Sequence, residues 1–425
     1  MNKLKRGLNQ ASLCQNLTVF GLHFQNSTQL KCVCYNNIMN LGLVLTGGGA
    51  RAAYQVGVIQ ALCEISRPKV SPFKVITGVS AGAINGAYLM SRADDFPVAA
   101  RGLWDLWAGL ESERIYRSDA GSIAGLGTKW LSSIGMGGIF NRQKRANHLL
   151  NTEPLRQLLA KEIQLDRLPG FFKSGILRGV SVSATNYATG TAISFFDGID
   201  EIEPWVRSTR IGVRSSLTGE HIMASSAIPV FFPPIKLDGT PFGDGCIRLT
   251  SPVSPAIHLG ADRIIAIGIR YLRTNAQTLE INNAVKRDDL SIAEIGGVLL
   301  NAVFLDSLET DVERMERINS TLAHFAELTP VGKLPHQLKQ IPILTLRPSQ
   351  DLGQLARGTL KEFPPLIRFL LKGVGAKEDK GWDLLSYLAF EKVYTCQLIE
   401  LGYNDTIRKK DQVAEFMQAD EIIQK

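Results

Sequence analysis

With 425 residues, 45% of them hydrophobic and only 20% charged, the chain has enough apolar surface for one large core plus an appended segment, or for two modest domains, and wholesale disorder is excluded. The formal charge of +7 is unevenly spread: Lys3, Lys5, Arg6 and Lys31 stand in a stretch without Asp or Glu and carry four of the seven charges, leaving +3 for the rest. No Lys/Arg stripe with interleaved aromatics occurs, which argues against a nucleic-acid groove and leaves a weak attraction to anionic lipid surfaces.

Residues 1–38 read as an unstructured targeting arm or as translated sequence upstream of a natural start at Met39. Their basic beginning lacks a continuous apolar stretch, so no secretory signal is recognised. Cys14, Cys32, Cys34, Cys63, Cys246 and Cys396 are scattered without ligand spacing, which points to free thiols in a reducing compartment and to no metal site. The densest apolar run, Ile295 to Leu305, is too short to cross a bilayer. The expected location is therefore cytoplasmic, with peripheral membrane contact, delivery into another cell by a dedicated secretion system being the alternative.

From Leu41 the pattern sharpens. Leu41 to Leu45 forms a short apolar strand, a glycine turn follows, and Ala50 to Ile65 carries helix-spaced apolar residues. The same grammar recurs at Lys74 to Thr77, then Gly78-Val79-Ser80-Ala81-Gly82, then a helix over Ala83 to Met90. Two successive strand-helix units imply a parallel sheet covered by helices. Residues 98–165 read as helices broken by a glycine-rich stretch around Trp130, and Gly179 to Ala184 with Thr191 to Phe196 as a hairpin turning at Ala188-Thr189-Gly190. Arg263 to Ile269 and Ile341 to Leu346 read as later strands, with a mainly helical remainder. The expected organisation is an extension over 1–38, an α/β catalytic domain over 39–350 and a helical segment over 351–425.

Gly78-x-Ser80-x-Gly82 at a strand-to-helix junction is the arrangement of a nucleophile elbow, in which flanking glycines let the backbone turn sharply and present a serine hydroxyl. The other reading is an ordinary tight turn. Gly47-Gly48-Gly49, after the first strand, would aim amides at the positive end of a helix dipole, where an oxyanion could sit. Gly47-x-Gly49-x-x-Ala52 also fits a dinucleotide fingerprint, but the acidic residue that would hold the ribose is missing, because the second strand ends in Thr77-Gly78-Val79-Ser80. A serine needs a base. Asp244, between Gly243 and Gly245, is the better candidate as direct partner, while an Asp244–His258 triad and a plain Asx turn are the alternatives. A free carboxylate, with a pKa of about 3.9, is a poor base, so Asp244 would need burial to raise its basicity or a very short contact.

In order along the chain, Gly47-Gly48-Gly49-Ala50-Arg51, Gly78 to Gly82 and Asp244-Gly245 resemble the three motifs of the patatin-like phospholipases. Supporting stretches are Ser183 to Asn186 with Thr189-Gly190, Ala224 to Pro229, and Leu259 to Asp262; Asp383 to Tyr403 resembles the tail of a bacterial subgroup. Ala52 and Cys246 depart from the pattern, each standing where the family often has a smaller residue. The resemblance covers about Leu41 to Arg347 and implies a three-layer α/β sandwich with a mostly parallel sheet. It further implies a lipid acyl hydrolase without metal or cofactor, acting on a phospholipid or other acyl-ester lipid and leaving room for an activating protein partner. In that reading Ser80 attacks, Asp244 accepts its proton, and backbone amides of Gly47, Gly48, Gly49 and Arg51 stabilise the oxyanion. The Arg51 side chain either touches substrate or is a surface or helix-packing residue.

Trp104, Trp107 and Trp130 are candidate walls of an apolar substrate channel, the alternative for the first two being plain core. Phe363 to Val374 is a candidate membrane-surface helix, or one packed on the catalytic domain. A dinucleotide-binding oxidoreductase and a catalytically inactive lipid-binding protein are the competing functional readings.

Overall fold

The computed structural model describes residues 39–117, 148–284, 290–328, 338–378 and 380–422. Contacts divide the chain into Met1–Ile38 and Met39–Lys425, and every described residue belongs to the second unit. Trp130 and its glycine-rich surroundings, like Cys14, Cys32 and Cys34, lie outside the described residues.

Among the described residues ten strands form one sheet: β1 Leu41–Leu45, β2 Val75–Val79, β3 Gly179–Asn186, β4 Thr191–Gly198, β5 Trp205–Arg207, β6 Arg210–Arg214, β7 Ile235–Leu237, β8 Thr240–Asp244, β9 Arg263–Ile267 and β10 Ile343–Leu346. The order is β10-β9-β1-β2-β3-β4-β6-β5, with β8 pairing β3 and β7 pairing β8. The five strands from β10 to β3 run parallel, as the two strand-helix units require. Antiparallel pairing enters at the β3–β4 hairpin, where Gly190 adopts φ +67° in the turn.

The helices that bear on the site are α1 Ala53–Ser66, α2 Ala81–Met90, α3 Phe96–Ala108, α4 Gly219–Ser225, α5 Ser254–His258, α6 Ile292–Phe304, α7 Asp306–Leu328, α8 Pro365–Gly373, α9 Trp382–Leu388 and α10 Lys392–Ile407. Successive strand residues point to opposite faces of the sheet, and here they feed two separate cores. Leu43, Leu45, Ile76, Ile265 and Ile267 join one apolar cluster with residues of α1, α2, α3 and α10. The intervening Val44, Val75, Ile264 and Ala266 join a second cluster with α5 and α7. Both faces are therefore covered, which makes the three layers and explains why these strands read as continuous apolar runs rather than alternating ones.

Helix α10, more than three hundred residues beyond α1 in sequence, packs against it with backbones almost touching: a methyl group on Gly57 would strike the Ile399 carbonyl, and one on Gly402 the Tyr54 carbonyl. In α8 the side chains of Ile367 and Leu371 are buried with Phe363 against the body, while Phe369 faces outward. No helix among the described residues is long and apolar enough to cross a membrane.

Candidate active site

The turn between β2 and α2 holds Ser80 at φ 55°, ψ −131°, a strained conformation for a residue with a side chain. The surroundings enforce it. A methyl on Gly78 would collide with Ala83, and one on Gly82 with the main chain at Leu45, so the turn is as tight as two glycines allow. The Ser80 amide donates to Ser225 Oγ (2.9 Å), which donates to the Ser183 carbonyl (2.6 Å), and Ser226 Oγ donates to the Ser80 carbonyl (3.0 Å). These two serines, at the end of α4, were visible in the sequence only as part of a family-like stretch; their grip on the elbow is a tertiary fact.

Strand β3 brings the second group to Ser80. Its Ser183 lies opposite Val79 of β2, and the next residue, Ala184, lies opposite Asp244 of β8, so one strand end seats both partners. Thr185 Oγ1 donates to the Asp244 carbonyl (2.7 Å), and Gly245 passes so near the Ser183 carbonyl that a side chain has no room there. Ser80 Oγ consequently donates to Asp244 Oδ2 at 2.5 Å, and the Cys246 amide donates to Oδ1 at 2.9 Å. Asp244 is fully buried and Ser80 is 1% exposed. Burial pushes the Asp244 carboxyl up to about 7, against the opposing pull of the hydrogen bonds from Ser80 and Cys246.

His258, the alternative third member of a triad, is elsewhere: its ring stacks on Trp205 at 4.5 Å, and burial, with Arg207 and Arg210 nearby, pushes its pKa down to about 4.

The three glycines of the loop lie against other parts of the protein. Gly47 abuts Cys246 and the Ser80 Cβ, Gly48 abuts Ile269, and Gly49, at φ +56°, abuts the Tyr387 carbonyl. Their bare α-carbons thus serve close protein packing. The Arg51 amide donates to the Gly48 carbonyl (3.2 Å) within a 3-10 turn over Gly49–Ala52, and the Gly47 amide faces the Cys246 thiol, so of the expected oxyanion donors Gly48 and Gly49 are the ones without such an engagement here. The Arg51 side chain runs toward α9, where Nε donates to Ser386 Oγ and Nη2 to Asp383, so the helix-packing alternative describes it.

Beside Ser80 lies a narrow cavity with about 470 Å³ of empty space, part of it open to solvent, bounded by Gly49, Ser80 and a wall that includes Ile84, Leu106, Trp107, Leu110, Ile228 and Phe390. Trp107 lines it and donates its indole N–H to Asn85 Oδ1 (2.8 Å). Trp104 does not: it is turned to Tyr403, with ring centroids 6.4 Å apart. Three residues apart on α3, the two rings are separated by what packs on each, which spacing alone did not reveal.

A family model for patatin-like phospholipases matches residues 43–257, just over half of the chain, spanning the glycine loop, the elbow and Asp244. The chain belongs to the patatin-like phospholipase family. It is similar to lysophospholipase nte1 of Aspergillus terreus (strain NIH 2624 / FGSC A1156), with 38% identity over 96 residues, 23% of this chain; the match spans only 6% of that relative's length. Among solved structures, human GIVD cytosolic phospholipase A2 aligns over 91% of this chain and 61% of its own at 11% identity and TM-score 0.41. VipD from Legionella pneumophila aligns over 88% and 67% at 13% identity and TM-score 0.31. As a family member the chain carries its three motif regions at one end of the sheet, at the carboxyl ends of β1, β2 and β8.

Proposed function

We propose that this patatin-like protein is a serine-dependent lipid acyl hydrolase, of the phospholipase A or lysophospholipase type, working through a Ser80–Asp244 dyad. The observation that carries the reading is the 2.5 Å hydrogen bond from Ser80 Oγ to a buried carboxylate at the edge of an apolar cavity. Ser80 Oγ attacks the acyl carbonyl as its proton passes to Asp244, and the oxyanion that forms is held by amides of the Gly47–Gly49 loop and by the positive end of α2. Collapse expels the alcohol, which takes the proton from Asp244. Water then attacks the acyl-enzyme with Asp244 again as base, releasing the fatty acid and restoring Ser80. The apolar lining of the cavity suits an acyl chain.

A fluorophosphonate probe should label the protein at the peptide containing Ser80. Labelling confined to another serine, or none despite binding of lipid, would replace this reading with that of an inactive lipid-binding protein.

The proposal includes peripheral contact with a lipid surface. Ile292, Ile295, Val298 and Leu299 stand exposed along one side of α6, and Phe369 stands exposed on the adjoining α8, whose following Val374 carbonyl accepts the Ala293 amide. Such apolar side chains gain by entering the interfacial layer of a bilayer. The double variant Ile295→Asp, Leu299→Asp should lower cosedimentation with phosphatidylglycerol-containing vesicles by about tenfold or more, with hydrolysis of a soluble short ester unchanged. Equal sedimentation of variant and wild type would remove this surface from the proposal. The tail from Asp383 to Tyr403 is the part of the reading that points to a bacterial subgroup.

A further inference from the structure

Building on the hydrolase reading, we infer that the segment Trp382–Phe390, far outside the family-matched residues, is a working part of the active site: it positions the glycine loop through Arg51 and closes the acyl cavity with Phe390.

Arg51 follows Gly49 by two residues, so whatever holds its side chain also holds the turn that presents the loop amides. Its guanidinium is buried, and a buried cation is stable only when its donors are met. Among the described residues its hydrogen-bond acceptors come from one short segment, with Tyr394 and Asp351 adding only longer-range charge: Ser386 Oγ accepts from Nε (2.7 Å), Asp383 accepts from Nη2 through Oδ1 (2.9 Å) and its carbonyl (3.3 Å), and the Tyr387 ring lies 4.2 Å beneath Cζ. Ser386 Oγ donates its own proton to the Asp383 carbonyl (2.6 Å), which turns a lone pair toward Arg51. Gly49 itself rests against the Tyr387 carbonyl with no space for a side chain. The loop is therefore pinned twice from the same side, once through its α-carbon and once through the arginine.

The same segment runs on to the cavity. Tyr116 Oη donates to the Leu388 carbonyl (3.0 Å), and Phe390 packs its ring 6.2 Å from Trp107 and 6.3 Å from Tyr116, so that it lines the space next to Ser80. One stretch of chain thus sets both where the oxyanion donors stand and where the acyl chain meets a wall. Donors that act on developing charge lose their effect with small displacements, which would make Asp383 and Ser386 positioning residues for the reaction.

The experiment compares wild type, Ser386→Ala, Asp383→Asn and Phe390→Leu in the full chain, using p-nitrophenyl butyrate and decanoate together with fluorophosphonate labelling. For Ser386→Ala and Asp383→Asn the expected result, per folded molecule, is a loss of about 10- to 100-fold in kcat and a parallel slowing of labelling, with KM changed less than about twofold and Tm lowered. For Phe390→Leu the expected result is a rise of about tenfold in the decanoate-to-butyrate ratio of kcat/KM. Activity that falls only in proportion to the folded fraction, with the chain-length ratio unmoved, would overturn the inference and leave the segment a structural strut. Wild-type protein that neither hydrolyses the esters nor takes up the probe would overturn the hydrolase reading itself, a result distinct from active wild type with indifferent variants.

Discussion

Ser80→Ala is expected to lower kcat toward a p-nitrophenyl ester by about 10⁴- to 10⁶-fold, the scale seen when a serine nucleophile is removed from a site whose parts act as a unit. The substitution deletes one oxygen and leaves the turn in place, because the elbow is held through the backbone of residue 80 by Ser225 and Ser226, not through its hydroxyl. Near-unchanged circular dichroism beside abolished turnover is the expected pair of observations. Full activity in the variant would remove Ser80 from the mechanism.

The second large effect concerns pH. Asp244 can accept a proton only when ionised, and its burial places that ionisation at about pH 7. Below that value kcat/KM should fall about tenfold per pH unit, and above it should level off. The titratable groups facing the carboxylate do not blur this limb: burial, then the charge of Asp244, raises both the Tyr187 phenol and the Cys246 thiol, so both stay neutral near pH 7. A limb with an apparent pKa near 4 would contradict the assignment of Asp244 as base.

The same burial has a thermodynamic counterpart of opposite sense. A carboxyl whose folded-state pKa lies above its unfolded value binds its proton more tightly when folded, so it lowers stability progressively as pH rises from about 4 to about 7, and by a constant amount beyond. Asp244→Asn carries no such charge. Its Tm relative to wild type should therefore be more favourable at pH 8 than at pH 4, even as its activity is lost.

The local grammar of this chain was legible because glycine and hydroxyl residues report backbone geometry directly. Gly78, Ser80 and Gly82 stand where a strand must turn into a helix, and the parallel core follows from the two strand-helix units that begin at Leu41 and Lys74. What resisted reading depends on partners distant in sequence. Arg51 is 335 residues from Ser386, and nothing around position 51 announces that contact. Trp104 and Trp107 look equivalent on a helix, but Tyr403 takes one and Asn85 with Phe390 the other. Phe390 sits in a stretch that reads as tail, and only the fold carries it to the cavity. The Arg51 amide, expected among the oxyanion donors, is engaged by the 3-10 turn that the glycines themselves make possible.

The close seating of α10 on α1 has a consequence for biogenesis. At ribosomal rates of about 5–20 residues per second, the roughly 330 residues from Ser66 to Lys392 take about 16–65 s to emerge. Throughout that interval the apolar side of α1 lacks its cover, which makes the growing polypeptide a natural client for a holding chaperone. On the proposed function, hydrolytic power would arise late, once the last helices have docked, so unfinished chains would be unable to attack lipid while still being made.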